Sequence, residues 1–323
     1  MKFNTKDLWV WEFSDDGSVV QLIDKAKRAG CGVIIKVLDG VNYQATFDHH
    51  PDAIDSPMKA ATIARRFEEA GVPCSFWVNP RGVQDVSYEA RAILETDRAW
   101  RPRAWYLDTE PYEQFWEGTP DEARRLVQAI KGYSKANHAD GLAATVIAAP
   151  DARPWAINDS MAAFCEEADA IAPQCYWRTF ESNGSYYARY GFPPPPEGVT
   201  ANFVLATAYR FFTDRFHKPV LPIFQGDSDA VETKQAQDVV HFVGGLGLSV
   251  WRAGVTNDDV IQQLAQFTPP GSTDEGTVVD PRVAALETAL KVRAAAVVVA
   301  SRLPDGTSIQ DLQNILDFFR ASK

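Results

Sequence analysis

Short apolar runs rich in Val, Ile, Trp and Ala recur along the chain, each ending in a polar residue and each followed by a segment with helical period. LWVWEF (8–13) leads into a stretch where Val19, Leu22, Ile23 and Ala26 share one helical stripe and Gly30 supplies a stop. GVIIKVLDG (32–40) is the second predicted strand, with its helix over 56–71 capped by Ser56 and opened by Pro57. VPCSFWVNP (72–80) is followed by a helix over 85–100, and AWYLDTEP (104–111) by a helix over 119–137 that Thr119 and Pro120 begin. The later strands are 141–151, 170–177, 219–227 and 247–254, with helices over 153–168, 199–215, 230–244 and 256–267.

Eight strand–helix units in succession predict an α/β fold, a (β/α)8 TIM barrel over residues 1–267. An open doubly wound sheet uses the same alternation, but no Gly-rich phosphate turn follows the first strand, and eight is the closure number of the barrel. The two longest connections, 40–55 and 178–198, both follow strands and so fall on the C-terminal rim, where barrel active sites sit. Residues 268–281 form a Pro/Gly/acidic linker, and 282–323 read as a helical hairpin turned at Pro304-Asp305-Gly306. The apolar stripes of that tail need a partner surface: the barrel, a second copy in a homo-oligomer, or another protein in an assembly.

Composition fits this picture. Of 323 residues, 46% are apolar and 23% charged, which excludes disordered and collagen-like chains. The net charge of -11 argues against nucleic acid and anionic membranes as partners. No apolar stretch reaches the roughly 18 residues that cross a bilayer, and the N-terminal residues carry no secretory pattern. The expectation is cytoplasmic synthesis without a signal peptide and without membrane insertion, with release or particle association left to other proteins. Cys31, Cys74, Cys165 and Cys175 are widely spaced and form no zinc-type cluster, so reduced, buried thiols are expected. His49-His50 reads as a solvated pair, and no metal or organic cofactor is expected.

Candidate chemistry follows from the strand ends. Asp39, Asn79 with Arg81, Asp108 and Glu110, Asp151, Gln174, Tyr176 and Trp177, Gln225 and Asp227, and Trp251 with Arg252 form a polar and aromatic ring. In AWYLDTEP, Asp108 and Glu110 stand at i and i+2 and so face the same side of their strand. Two carboxyls that close do not ionise independently; one keeps its proton while the other stays anionic, the division of labour that glycoside hydrolysis uses. A cation-ligand pair or a salt-bridged rim is the competing reading of the same pair. Trp9, Trp11, Trp77, Trp105, Tyr106, Trp116, Trp155, Tyr176, Trp177 and Trp251 crowd the same region; part of them fill core, and the rest suit a cleft that stacks sugar rings. Lys36 sits in mid-strand.

DTE at the end of strand four, APQCYW in strand six and GLSVWRAG in strand eight resemble glycoside hydrolase families 25 and 18, the lysozyme-like and chitinase-like barrels. The resemblance implies Glu110 as general acid, with Asp108 matching the aspartate of the family 25 DxE. Where family 25 has an Asp near the start of strand one, this chain has Trp9, Trp11 and Glu12. The longer family 18 pattern DxxDxDxE meets Arg103 and Tyr106 at its outer positions, and its strand-six Tyr corresponds to Tyr176. The implied function is hydrolysis of an N-acetylhexosamine polysaccharide, peptidoglycan first and chitin-like chains second. Asp108 and Tyr176, helped by Gln174, would steady the acetamido group or the developing charge. Asp39 or Asp227 would position water or substrate, and Trp11, Asn79, Trp177, Gln225 and Trp251 would line the cleft. A barrel that binds glycan without cleaving it, or a structural module of a phage-type assembly, is the alternative.

Overall fold

The computed structural model of this chain describes residues 5–138, 140–243 and 245–268. The linker beyond Thr268 and the predicted hairpin 282–323 lie outside the described residues. The strands are β1 (Thr5–Val10), β2 (Gly32–Asp39), β3 (Cys74–Asn79), β4 (Trp105–Thr109), β5 (Val146–Pro150), β6 (Ala170–Ile171), β7 (Gln174–Cys175), β8 (Ile223–Gln225) and β9 (Gly247–Trp251). They pair in parallel in the order β6-β5-β4-β3-β2-β1-β9-β8-β7, with Asn42–Tyr43 folding back antiparallel on β2. The sheet curls until its two ends meet on one short segment. Ala172 N donates to Ala148 O on one side, while Ile171 N donates to Pro219 O and Ile223 N to Pro173 O on the other. The result is a TIM-barrel-like α/β fold.

Helices α1 (Val19–Ala29), α2 (Pro57–Glu69), α3 (Val86–Ala99), α4 (Pro120–Asn137), α5 (Asp159–Glu167), α6 (Ala201–Phe216), α7 (Ala230–Phe242) and α8 (Asp258–Gln266) follow the strands in the order the periodicity predicts. Their starts are chemically marked. Ser18, Thr119 and Asp229 each close a capping box with the residue three places on, satisfying donors that a first helical turn leaves free. Thr119→Ala is expected to cost about 1 kcal/mol, read as a lower urea midpoint at unchanged slope.

Alternation along the strands sorts side chains into two cores. Leu8, Val10, Val33, Ile35, Phe76, Val78, Trp105 and Leu107 face the helices, whereas Trp9, Ile34, Trp77, Tyr106, Ile147 and Ile223 fill the interior of the curl. Tyr106 therefore sets the parity that turns Asp108 inward two residues later. β2 breaks this rule: its register with β3 shifts between Lys36 and Leu38, so Lys36 and Asp39 come to one side although they are three residues apart.

Several predicted boundaries change. The sixth strand is not one run over 170–177: Pro173 separates β6 from β7, and Tyr176 already caps a short helix, Trp177–Phe180. The fifth and seventh strands shrink to five and three residues. The helix expected from 153 starts at Asp159, because Pro154–Ala156 forms a separate 3-10 turn and Asn158 caps α5. All four cysteines are buried and unpaired.

Candidate active site

A cleft of about 380 Å³ opens at the C-terminal ends of the strands. It gathers Asp39, Asn79, Arg81, Asp108, Glu110, Gln174, Tyr176, Trp11 and Trp251 from the predicted polar and aromatic residues, and adds Lys36, Gln114 and Phe115. Three tryptophans interlock beneath it, with Trp9, Trp77 and Trp251 at ring-centre distances of 5.5, 5.7 and 5.9 Å. Trp9 Nε1 donates to Ser249 Oγ at 2.8 Å and Trp77 Nε1 to Val10 O at 2.9 Å, so both indoles are satisfied without solvent. Trp9 and Trp77 are thus core, and Trp11 and Trp251 present the more accessible aromatic surface.

Trp11 is held by the rim segments that follow β1, β2 and β9. Its amide donates to Asp16 Oδ2 at 2.6 Å, its carbonyl accepts from Gln44 Nε2 at 2.7 Å, and the Arg252 guanidinium lies 5.1 Å from the ring centre. Asp16 also accepts from Gly254 N and Arg252 Nη1.

The acid pair is joined by one amide. Gln174 Nε2 donates to Asp108 Oδ1 at 2.8 Å and to Glu110 Oε1 at 3.0 Å, with Ala149 O a third acceptor at 3.0 Å. Burial pushes Asp108 well above the usual carboxylate range, and the neighbouring Glu110 charge adds to this, against the opposing pull of Lys36 and Gln174. Burial likewise raises Glu110, to about 7; Gln174 pulls it down, Asp151 pushes it up and Arg153 opposes. The pair therefore holds a proton near neutrality. Burial, then the two acids, also keeps the Tyr176 phenol protonated, as a donor in the cleft wall.

Both acids bind their proton more tightly folded than unfolded. Their contribution to stability is complete below the ordinary carboxylate pKa and is lost as pH rises through the folded value, about 7 for Glu110. Asp108→Asn removes one such group. It is expected to raise Tm by roughly 2–4 °C above neutrality and by less in mild acid, as scanning calorimetry at the two pH values would show; an equal change at both would count against the shift.

Two strands along the sheet from the pair, Asp39 joins two cations: Lys36 Nζ lies 3.0 Å from Oδ2 and Arg81 Nη1 3.0 Å from Oδ1. The Lys36 ammonium also stands 5.2 Å from the Trp77 ring centre.

Five of the predicted ring residues, Asp151, Trp177, Gln225, Asp227 and Arg252, lie outside this cleft. Trp177 starts a helix rather than ending a strand, so it packs flat on Phe224 at 6.0 Å and donates to Glu232. Gln225 Oε1 accepts from Arg178 N and its Nε2 donates to Asp227, ties that fasten the loop after β7 rather than face the cleft. Lys36 lines the cleft although the sequence pattern placed it only in mid-strand. Its signal was a single cation inside the apolar run GVIIKVLDG. Asp151 anchors a separate rim cluster, accepting from Tyr112 at 2.6 Å and from Arg153.

Among the described residues no group of three or more His, Cys, Asp or Glu side chains could hold a metal ion, and no helix is long and apolar enough to cross a membrane.

No protein-family model matches the chain, and no curated protein matches it in sequence. Its fold is similar to those of solved structures. The endo-beta-1,4-mannanase from Thermotoga petrophila aligns with a TM-score of 0.55 at 11% identity, over 85% of this chain and 78% of that one. A GH18 chitinase from Pseudoalteromonas aurantia aligns with a TM-score of 0.55 at 12% identity, over 81% and 99%. The spore cortex-lytic enzyme SleL of Bacillus cereus gives 0.54 at 10% identity, over 84% and 77%. The likeness is one of fold, shared with TIM-barrel glycoside hydrolases.

Proposed function

We propose that this protein hydrolyses glycosidic bonds in a polysaccharide containing N-acetylhexosamine, with peptidoglycan glycan strands ahead of chitin-like chains. The observation that carries the reading is the Asp108–Gln174–Glu110 arrangement: two carboxyls of raised pKa, tied to one amide, in a cleft with aromatic walls. Glu110, still partly protonated near neutrality, gives its proton to the glycosidic oxygen as the bond to the anomeric carbon breaks. Asp108, with Tyr176 and Gln174, faces the charge that develops on the sugar or holds its acetamido group. Trp11 and Trp251 offer stacking surface to neighbouring rings.

The test is incubation of the full chain with peptidoglycan sacculi and with chitooligosaccharides, followed by mass spectrometry for new reducing ends. Cleaved products in either arm support the reading. Saturable binding without any product would sink it and leave a glycan-binding barrel in its place.

A further inference from the structure

A cleft of about 380 Å³ is at the small end of the range for ligand sites, so a polymer cut inside it has to leave over the rim. One sector of that rim carries exposed aromatic rings. Among the described residues four tyrosines are exposed, and three of them, Tyr112, Tyr186 and Tyr190, stand in this sector. It begins at the acid pair. Asp151 pairs through its backbone with Gln174, the residue whose amide joins both acids. Tyr112, two residues beyond Glu110, donates to Asp151, and Arg153 holds the same carboxylate in a fork. The Arg153 guanidinium lies 5.8 Å from the Tyr112 ring centre and 5.9 Å from that of Trp155. Trp155 in turn meets Tyr186 at 5.6 Å and Tyr190 at 5.7 Å. A chain of ring contacts thus leads outward from the acid, and the one cation inside it is already paired with Asp151. Its outer part is fixed in place. Connections as long as 178–198 are uncommon without a role, and here the short helix Gly184–Arg189 spends Tyr187 on anchorage. That ring is fully buried, 4.8 Å from Trp155 and 5.0 Å from Phe203 of α6, whereas Tyr186 and Tyr190 are each left 49% exposed. Aromatic surface held rigid and uncovered beside a cleft points to a ligand.

We propose that Trp155, Tyr186 and Tyr190 form a shelf outside the cleft that stacks the sugars of a glycan strand beyond those held at the acid pair, so that the protein grips long chains in preference to short ones. The proposal rests on the hydrolase reading above. The flat C–H faces of a pyranose cover aromatic rings well, and a tyrosine keeps its hydroxyl free to meet sugar hydroxyls at the edge. Arg189, 5.5 Å from the Tyr186 ring centre, adds donors on the same helix. The shelf reads chain length, which the cleft alone is too small to do.

Binding is measured by titration calorimetry on the full chain carrying Glu110→Gln, which turns ligand over too slowly to disturb the titration, with chitotriose and chitohexaose, and by co-sedimentation with suspended chitin and peptidoglycan sacculi. Affinity is expected to rise by about tenfold from chitotriose to chitohexaose, the scale of two aromatic contacts. This length dependence is read without any tyrosine variant, and a flat affinity overturns the proposal. Adding Tyr186→Ala and Tyr190→Ala together is expected to abolish the rise while chitotriose binds as before; Tyr186→Phe with Tyr190→Phe keeps the rings and is expected to keep the rise. With Glu110 intact, the alanine pair is expected to raise KM for chitohexaose by a similar factor at unchanged kcat. Equal losses for the short and the long ligand would make the tyrosines structural, and no loss for either would leave the shelf unused; both overturn the proposal, as does failure of chitohexaose and of both suspended polymers to bind. Self-association that the alanine pair removes, with sugar affinity untouched, would assign the face to a second copy of the chain instead. Length-dependent binding without any product sinks the hydrolase reading alone, whereas products formed without regard to the two tyrosines sink the shelf alone.

Discussion

Glu110→Gln is expected to lower kcat on a cleavable glycan by about 10²–10⁴-fold while leaving oligosaccharide affinity nearly unchanged. The amide keeps the size of the side chain and can still meet Gln174, but it has no proton of carboxyl acidity to give to the leaving oxygen. The pH profile carries the sharper signature. Wild-type kcat/KM should fall as pH rises through about 7, because the free enzyme must hold Glu110 protonated. In Glu110→Gln that descending limb should vanish, leaving a low and flat residue of activity. A wild-type profile that keeps rising above this value would remove Glu110 from the role of acid. The assay is initial-rate kinetics on a defined oligosaccharide, with equilibrium binding to the variant measured beside it.

Asp16→Ala is expected to cost about 3–5 kcal/mol of stability, the range for removing one partner from a buried charged network. Asp16 is reached by three donors from the two ends of the barrel sequence: Trp11 N at 2.6 Å, Gly254 N at 2.7 Å and Arg252 Nη1 at 2.8 Å. Alanine would remove the acceptor that all three share, a carboxylate whose side chain is fully buried. The rim residues after β1 and β9 would lose their common anchor, and with it the setting of Trp11 and Trp251. The packing there has no slack: a Cβ on Gly254 would lie 2.4 Å from Asp16 Oδ1 and 2.6 Å from Asp15 O. Thermal melting should show Asp16→Ala falling by on the order of 10 °C, with Asp16→Asn falling less because its oxygen still accepts. A melt within the error of wild type would mean that the network contributes nothing.

The acid pair was legible in advance because its geometry is local. Strand parity alone carries Tyr106, Asp108 and Glu110 to one face, and the same parity turns Trp251 and Asn79 toward the cleft that they line. Trp177 and Asp227 lie outside the cleft because they fall past the ends of their strands, whereas Gln225 is still within β8 and its amide is taken by Arg178 N and Asp227. Pro173 interrupts the sixth strand, and the chain turns helical at Trp177, so one residue that reads as a strand end is packed on Phe224 instead. Gln225 and Asp227 then serve the loop that this turn creates. Lys36 shares its parity with the inward Ile34, and the register shift that follows it in β2 brings Asp39 to the same side although alternation separates the two.

By itself the sequence determined the order of strands and helices, the caps that start the helices, the end of the sheet at which to look, and the pairing of Asp108 with Glu110. Each of these depends on residues a few places apart, where backbone geometry has two fixed periods and the side chains obey them. Only the tertiary structure decided which tryptophans are floor and which are wall, that one amide from strand six spans both acids, and that Lys36 and Arg81 meet on Asp39. Apart from the three-residue step between Lys36 and Asp39, those relations join residues tens to hundreds of positions apart. They depend on how far each strand runs before a proline or a bulge ends its alternation, and closure of the sheet fixes that while no local pattern records it.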